Sequence, residues 1–149
     1  MTQQELAQSI VHRFLTLMRY RKYAASQIQK ETNVSGRQLA VLRFLVEHNP
    51  SSVGEISAFL YVRDGTTSPL LDRMERDGLV KRQRCTQDAR RVLVEPTPLG
   101  VELASKAPLS PVALMRAELP RMTVEDLQAI DAALERLSEI GRVDESVLE

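Results

Sequence analysis

The sequence has a single cysteine, Cys85, so no disulfide bond can form within the chain. Its first residues are polar, whereas a secretory signal peptide needs a basic segment followed by an apolar one. We therefore expect a protein of the cytoplasm. Charged residues interrupt every hydrophobic run, and none approaches the roughly 18 apolar residues of a membrane-spanning helix. We expect no membrane partner.

The sequence also offers little for metal or covalent chemistry. His12 and His48 lie far apart, without the closely spaced cysteine, histidine or carboxylate partners that metal sites usually have. Serines and threonines fall at helix caps, and neither histidine belongs to a recognisable catalytic motif. We expect no metal and no cofactor, and we expect the protein not to be an enzyme.

Aromatic residues make up only 4% of the sequence, and there are only 6 glycines and 7 prolines. This scarcity, together with an apolar content dominated by aliphatic residues, favours helices over a β-sandwich or barrel. A chain of 149 residues is long enough for one domain with a core of its own and short for two. We predict a single, mainly α domain over residues 1–149.

The formal net charge is zero, but the charges are unevenly distributed. Five basic residues and only one acidic residue, Asp88, lie between Lys81 and Arg91, whereas nine acidic and four basic residues lie in 116–149. A basic run is more often a solvated surface than a nucleic-acid site. Whether this basic run binds nucleic acid therefore depends on the structural element that carries it.

Both ends of the chain show the periodicity of long amphipathic helices. The first helix is predicted from residue 4 to about residue 30, with an apolar stripe through Leu6, Ile10, Phe14 and Leu17. Thr123 begins a last helix whose apolar residues alternate spacings of three and four, which is typical of a coiled-coil seam. A stripe this broad needs a partner, so we predict that residues 1–34 and 105–149 are dimerisation helices.

The middle of the chain predicts two short helices, each opened by a capping box at Ser35 or Ser52. A third helix follows and ends before Gly78. Pro69 is tolerated only in a first helical turn, so this helix should begin at or just after Thr66, or be kinked there. A short helix, a tight turn and a longer helix in this order form a helix-turn-helix.

Two strands and another helix complete this part of the chain. Residues 79–80 and 92–94 predict strands on either side of the basic stretch, and a further helix begins at Thr97-Pro98. Residues 35–104 are therefore expected to form one lobe in which a hairpin with a basic tip follows the helix-turn-helix. This layout is that of a winged helix.

Three linked motifs resemble the MarR family of winged helix-turn-helix transcriptional regulators: residues 70–80 (LLDRMERDGLV), 88–90 (DAR) and 97–100 (TPLG). The resemblance implies a mainly α fold with a β-hairpin wing. It also implies that the helix over 66–77 enters the DNA major groove and that Arg90 reaches the minor groove. The chain departs from the pattern at Pro69, Ala89 and Pro96, and Arg91 could compensate for Ala89.

The candidate DNA-binding residues follow from this resemblance and from the outward positions of the third helix. Lys81, Arg82, Arg84 and Arg91 should contact phosphates. The full set is Thr66, Ser68, Arg73, Arg76, Lys81, Arg82, Arg84, Asp88, Arg90 and Arg91. We expect a homodimer on a pseudo-palindromic operator with half-sites about 34 Å apart, acting as a repressor that blocks a promoter.

Members of the family commonly respond to small, often aromatic acids that bind between the dimerisation helices and the DNA-binding lobe. The resemblance therefore implies an effector of this kind. The candidate ligand-binding residues lie on the first helix and are His12, Arg13, Thr16, Arg19, Tyr20 and Tyr23.

Two alternative functions remain open at this point. The winged helix could be a protein-interaction module that does not bind DNA. Cations can also make a neighbouring thiol reactive, so Cys85, which lies between Arg84 and Thr86, could make the regulator thiol-responsive. Peroxide-sensing members of the family carry their cysteine in the first helix, where this chain has none.

Overall fold

The computed structural model describes residues 1–148 and shows a mostly helical chain with one small sheet, which confirms the predicted fold class. The helices are α1 (Gln3–Thr32), α2 (Gly36–Glu47), α3 (Val53–Leu60), α4 (Asp64–Arg76), α5 (Pro98–Lys106), α6 (Pro111–Glu118) and α7 (Val124–Ile140). The strands are β1 (Ser51–Ser52), β2 (Val80–Arg84) and β3 (Val92–Pro96), which form an antiparallel sheet in the order β1-β3-β2. Short 3-10 turns span Leu119–Arg121 and Glu145–Val147.

Most helices begin at a hydroxyl side chain that accepts a hydrogen bond from the backbone amide three residues later. The capping residues are Thr2, Ser35, Ser52, Thr97, Ser110 and Thr123. The predicted capping box at Ser35 is complete, because the Gln38 side chain also accepts from the Ser35 amide at 2.8 Å. At Ser52 only half of it forms, since the Glu55 carboxylate instead accepts from Arg91 at 2.7 Å. The prediction that the Glu55 side chain completes a capping box at Ser52 is therefore wrong.

The core lies between α2 and the elements that follow it. Leu39, Leu42 and Leu45 of α2 are fully buried, and they belong to one cluster with Leu71 and Met74 of α4. Each of these residues is on the inner side of an amphipathic helix, as the periodicity of the sequence predicts. The core therefore fixes α3, α4 and the sheet as one body around α2.

The start of α4 differs from the sequence prediction. The helix runs without interruption from Asp64 past Pro69 to Arg76, so the predicted start at or just after Thr66 is wrong. The amides of Thr66 and Thr67 both donate to the Arg63 carbonyl, at 3.0 and 3.2 Å. Pro69 costs the helix one backbone hydrogen bond, and the burial of α4 side chains against α3 offsets this loss.

The two long terminal helices have little cover from the rest of the chain. In α1 only Ile28 is buried, and α7 has no buried residue. The exposed apolar residues of α1 include Leu6, Ile10, Val11, Phe14, Leu15, Leu17 and Met18, and those of α6 and α7 include Val112, Leu114, Met115, Ile130 and Leu134. Among residues 1–148, no helix combines the length and apolar character needed to cross a membrane.

Candidate nucleic-acid interface

A helix-turn-helix is formed by α3 and α4, and the turn between them is set by backbone geometry. Tyr61 takes a left-handed conformation with φ of 58°, and the next amide, of Val62, donates to the Ser57 carbonyl at 3.1 Å. Beneath the turn, the Ser57 hydroxyl donates to Thr67 Oγ1 at 2.8 Å, with both side chains buried. This buried hydrogen bond joins the two helices.

Replacing Thr67 with valine should destabilise the lobe, because the buried Ser57 hydroxyl would lose its acceptor while the shape of the side chain is kept. We expect the free energy of unfolding to fall by about 1–3 kcal/mol, measured by urea denaturation. Thr66→Val is the matched control, since Thr66 is on the same helix and only half-buried. Equal losses in the two variants would show that the Ser57–Thr67 bond contributes nothing specific.

The outward face of α4 carries two arginines. Arg73 and Arg76 are exposed and form no ion pair within the described part of the chain. Thr66 and Ser68, nearer the start of the helix, are half-buried, whereas Pro69 is exposed. The helix therefore presents polar and cationic groups along the face that its core residues leave free.

The β2–β3 hairpin, residues 80–96, is the wing. Across its loop, the Asp88 carboxylate accepts from the Arg90 amide at 3.0 Å and from Arg90 Nε at 3.2 Å, while the Arg84 guanidinium donates to the Ala89 carbonyl at 2.7 Å. The Arg90 side chain is nonetheless 93% exposed. Asp88 thus orders the loop and orients an arginine that projects into solvent.

Three other predicted phosphate contacts are paired with carboxylates inside the chain. Arg91 donates to Glu55 of α3, and Lys81 lies 3.7 Å from Glu95. Arg82 donates to Asp72 at 2.5 Å and to Glu75 at 3.3 Å, both on α4. These hydrogen bonds raise the pKa of Arg82, and the bonds from Arg82 lower the pKa of Glu75. The wing is therefore attached to both helices of the helix-turn-helix.

Two arginines that join this lobe to the segment after α5 were not found from the sequence. Arg116 of α6 donates to the Phe59 carbonyl at 2.9 Å, and its guanidinium lies 4.0 Å from the centre of the Phe59 ring. Arg43 of α2 donates to the carbonyls of Ala107 and Pro108, and burial lowers the pKa of Arg43. All three bonds join residues more than fifty positions apart, and no local pattern marks them.

The structure places the six candidate ligand-binding residues along α1, all of them exposed. His12 lines an open hollow of about 470 Å³ together with Val11 and Leu15. The rings of Tyr20 and Tyr23 lie 6.1 Å apart. Cys85 is half-buried at the base of the wing loop and is a free thiol. An effector site and a thiol response both stay predictions.

Comparison with known proteins identifies the family. The model of the MarR family matches residues 34–92, which contain α2 to α4 and most of the wing. The organic hydroperoxide resistance transcriptional regulator of Bacillus subtilis strain 168 is 36% identical over 107 residues, 72% of this chain and 71% of that protein. The chain belongs to the MarR family of transcriptional regulators. The resemblance seen in the three sequence motifs is therefore confirmed.

Solved structures of MarR-like fold extend the similarity to most of the chain. AbsC, a MarR family transcriptional regulator from Streptomyces coelicolor, matches with a TM-score of 0.65 at 23% identity, over 95% of this chain and 97% of that one. The structure of a MepR–DNA complex from S. aureus matches with a TM-score of 0.59 at 21% identity, over 93% and 98%. The MarR fold thus includes the terminal helices as well as the winged helix.

Proposed function

We propose that this MarR family protein binds duplex DNA with α4 in the major groove and the wing at the adjacent minor groove. The observation that carries the proposal is the placement of two exposed arginines of α4 beside the basic wing. Arg82 joins the wing to α4, so the exposed Arg73 and Arg76 lie on the helix against which the hairpin with Arg90 is fixed. A helix fits the major groove, and a narrow minor groove attracts arginine.

The neutral net charge of the chain does not oppose this function, because the acidic residues are concentrated elsewhere. The last 34 residues hold nine acidic and four basic residues. The fold shared with MepR, which was solved as a complex with DNA, supports the same partner. Sequence-independent affinity would come from phosphate contacts by wing cations such as Arg84, and specificity from α4.

The protein is proposed to act as a homodimer. The uncovered apolar residues of α1, α6 and α7 form a surface that a second copy of the chain would bury. Two-fold symmetry then presents two α4 helices to half-sites about 34 Å apart, so the operator should be a pseudo-palindrome. A dimer on such a site would block polymerase, which makes the protein a repressor.

A small aromatic acid is the proposed effector that relieves repression. It would bind between α1 and the DNA-binding lobe, near His12, Arg13, Thr16, Arg19, Tyr20 and Tyr23. Such a ligand acts only if its affinity differs between the DNA-binding spacing of the two α4 helices and another spacing. Titration of salicylate against a protein–operator complex should release the DNA, and unchanged affinity would exclude this ligand class.

A gel-shift experiment tests DNA binding directly, with DNA from upstream of the protein's own gene. Arg90→Ala should weaken binding about 10- to 100-fold, because each of the two Arg90 side chains in a dimer contributes about 1 kcal/mol. Affinity of the parent protein should fall steeply as salt rises. Lys106→Ala is the control, since it removes an equally charged, exposed residue at the end of α5.

The alternative function, a winged helix that binds only protein, predicts a different result in the same experiment. No shift would be seen at low salt, and neither variant would differ from the parent. A shift that Arg90→Ala and Lys106→Ala weaken equally would indicate non-specific attraction and would contradict the placement of the wing at the minor groove.

A further inference from the structure

One residue of the wing makes three hydrogen bonds to a single face of α4. Its guanidinium donates to Asp72 Oδ1 at 2.5 Å and to Glu75 Oε1 at 3.3 Å, and its backbone amide donates to Glu75 Oε2 at 3.0 Å. The residue is Arg82, in the middle of β2. Asp72 and Glu75 are three positions apart and therefore lie on the same side of the helix. We call these three residues the wing clasp.

The wing clasp satisfies a backbone amide at the edge of the sheet and reduces the negative charge on α4. Because the strand order is β1-β3-β2, β2 is an edge strand, and its outer edge has backbone amides without a strand partner. Glu75 satisfies one of them. The guanidinium also offsets one of the two negative charges that Asp72 and Glu75 place one turn apart on α4, close to the surface proposed to meet DNA. Without it, both would repel phosphates.

We propose that Arg82 is a positioning residue and not a phosphate ligand. It holds the wing at a fixed angle to α4 in the free protein, before DNA binds. The Arg82 side chain is only 25% exposed, compared with 65% for Lys81 on the same strand. Both side-chain hydrogen bonds come from its terminal Nη2, and a lysine, which is one bond shorter, would not place its nitrogen as far from the strand. The inference rests on the proposed function, because the angle matters only if α4 and the wing contact adjacent grooves.

Removal of the acidic partners distinguishes the two roles, since they predict changes of opposite sign. Asp72→Ala/Glu75→Ala removes two negative charges per chain, which makes the net charge more positive by two, and it frees the Arg82 side chain. If Arg82 were a phosphate ligand, the double variant would bind DNA as tightly as the parent or more tightly. If the clasp positions the wing, binding should weaken by about tenfold, because a misplaced wing would lose some of its contacts to DNA. A tenfold loss corresponds to about 1.4 kcal/mol of binding free energy.

The matched control is Glu31→Ala/Glu47→Ala, which adds the same charge at two exposed positions at the ends of α1 and α2. It should bind DNA as tightly as the parent or slightly more tightly. Arg82→Lys is a second variant, which keeps the charge and the residue's place in the sheet. The clasp predicts that it too weakens binding several-fold, whereas a phosphate contact would tolerate it.

Hydrogen exchange in the free protein tests the clasp without DNA. In Asp72→Ala/Glu75→Ala and in Arg82→Lys, amides of residues 80–96 should exchange at least several-fold faster, while those of α2 stay as protected as in the parent. Unchanged exchange in the wing would overturn the proposal. If the parent protein bound no DNA but the wing amides still lost protection, the clasp would stand and the proposed function would fail.

Discussion

Replacing Ile10 and Phe14 together with aspartate is expected to leave the protein monomeric and to weaken operator binding by at least about 100-fold. Both residues are 47% exposed in the single chain. They lie four positions apart on α1 and share one face of that helix. Two carboxylates buried between copies would cost far more than the dimer gains there.

The loss of DNA affinity follows from the loss of the second half-site. In a dimer, binding of one α4 places the other at a high effective concentration over its half-site, which multiplies affinity by about 100- to 10,000-fold. A monomer has no such advantage. Analytical ultracentrifugation should give the mass of one chain, and a fluorescence anisotropy titration with operator DNA should give the affinity.

The control for this prediction is Leu99→Asp, which introduces the same charge at an apolar residue that is 53% exposed on α5. It should remain a dimer and bind the operator as the parent does. A double variant Ile10→Asp/Phe14→Asp that still sediments as a dimer would show that α1 does not form the interface. A monomer with undiminished affinity would refute the two half-site operator.

Gly100→Ala is expected to destabilise the protein by about 3 kcal/mol, the upper part of the range for overpacking a core. A Cβ atom at Gly100 would overlap the Leu79 carbonyl oxygen and lie 2.9 Å from Leu42 Cδ2. The Leu79 carbonyl also accepts from the Thr97 amide at 3.0 Å. It therefore cannot move away from the new methyl group without breaking the hydrogen bond that holds the start of α5 against the residue before β2.

Gly36→Ala is the matched control for this substitution. Gly36 begins α2, and a Cβ atom there would meet no atom within 4 Å. The change should stabilise the protein by about 0.5 kcal/mol, because alanine has less conformational freedom in the unfolded chain. Urea denaturation of both variants gives the comparison. A Gly100→Ala variant as stable as Gly36→Ala would mean that α5 does not pack this closely on α2 and residue 79.

The sequence was sufficient for the structures that depend on neighbours along the chain. The caps at Ser35 and Thr97, the left-handed Gly78 after α4 and the bond between Asp88 and Arg90 each join residues within three positions or concern one residue alone. Such bonds form in almost any context that permits a helix or a hairpin. The order of α1 to α5, β2, β3 and α7 was therefore predicted correctly, whereas α6 and β1 were not predicted.

The sequence was insufficient where the outcome depended on competition between distant partners. Proline chemistry predicted a late start for α4, but buried contacts to α3 outweighed one lost hydrogen bond. The position of Glu55 predicted a capping box, but Arg91, 36 residues away, competes for the same carboxylate. Arg82 has the charge of a phosphate ligand, yet two carboxylates of α4 surround its guanidinium. The two-residue strand β1 has no pattern of its own.

The sequence alone determined the helix boundaries set by caps, the basic hairpin, the apolar faces and, through three motifs, the family, because short-range hydrogen bonds and periodicity are properties of neighbouring residues. Only the tertiary structure decided which cations remain available for DNA. Arg73, Arg76 and Arg90 extend into solvent, whereas Arg82 and Arg91 hold the wing against the helices. The physical reason is that an ion pair depends on distance in space, and the fold brings together residues separated by 10 or 36 positions.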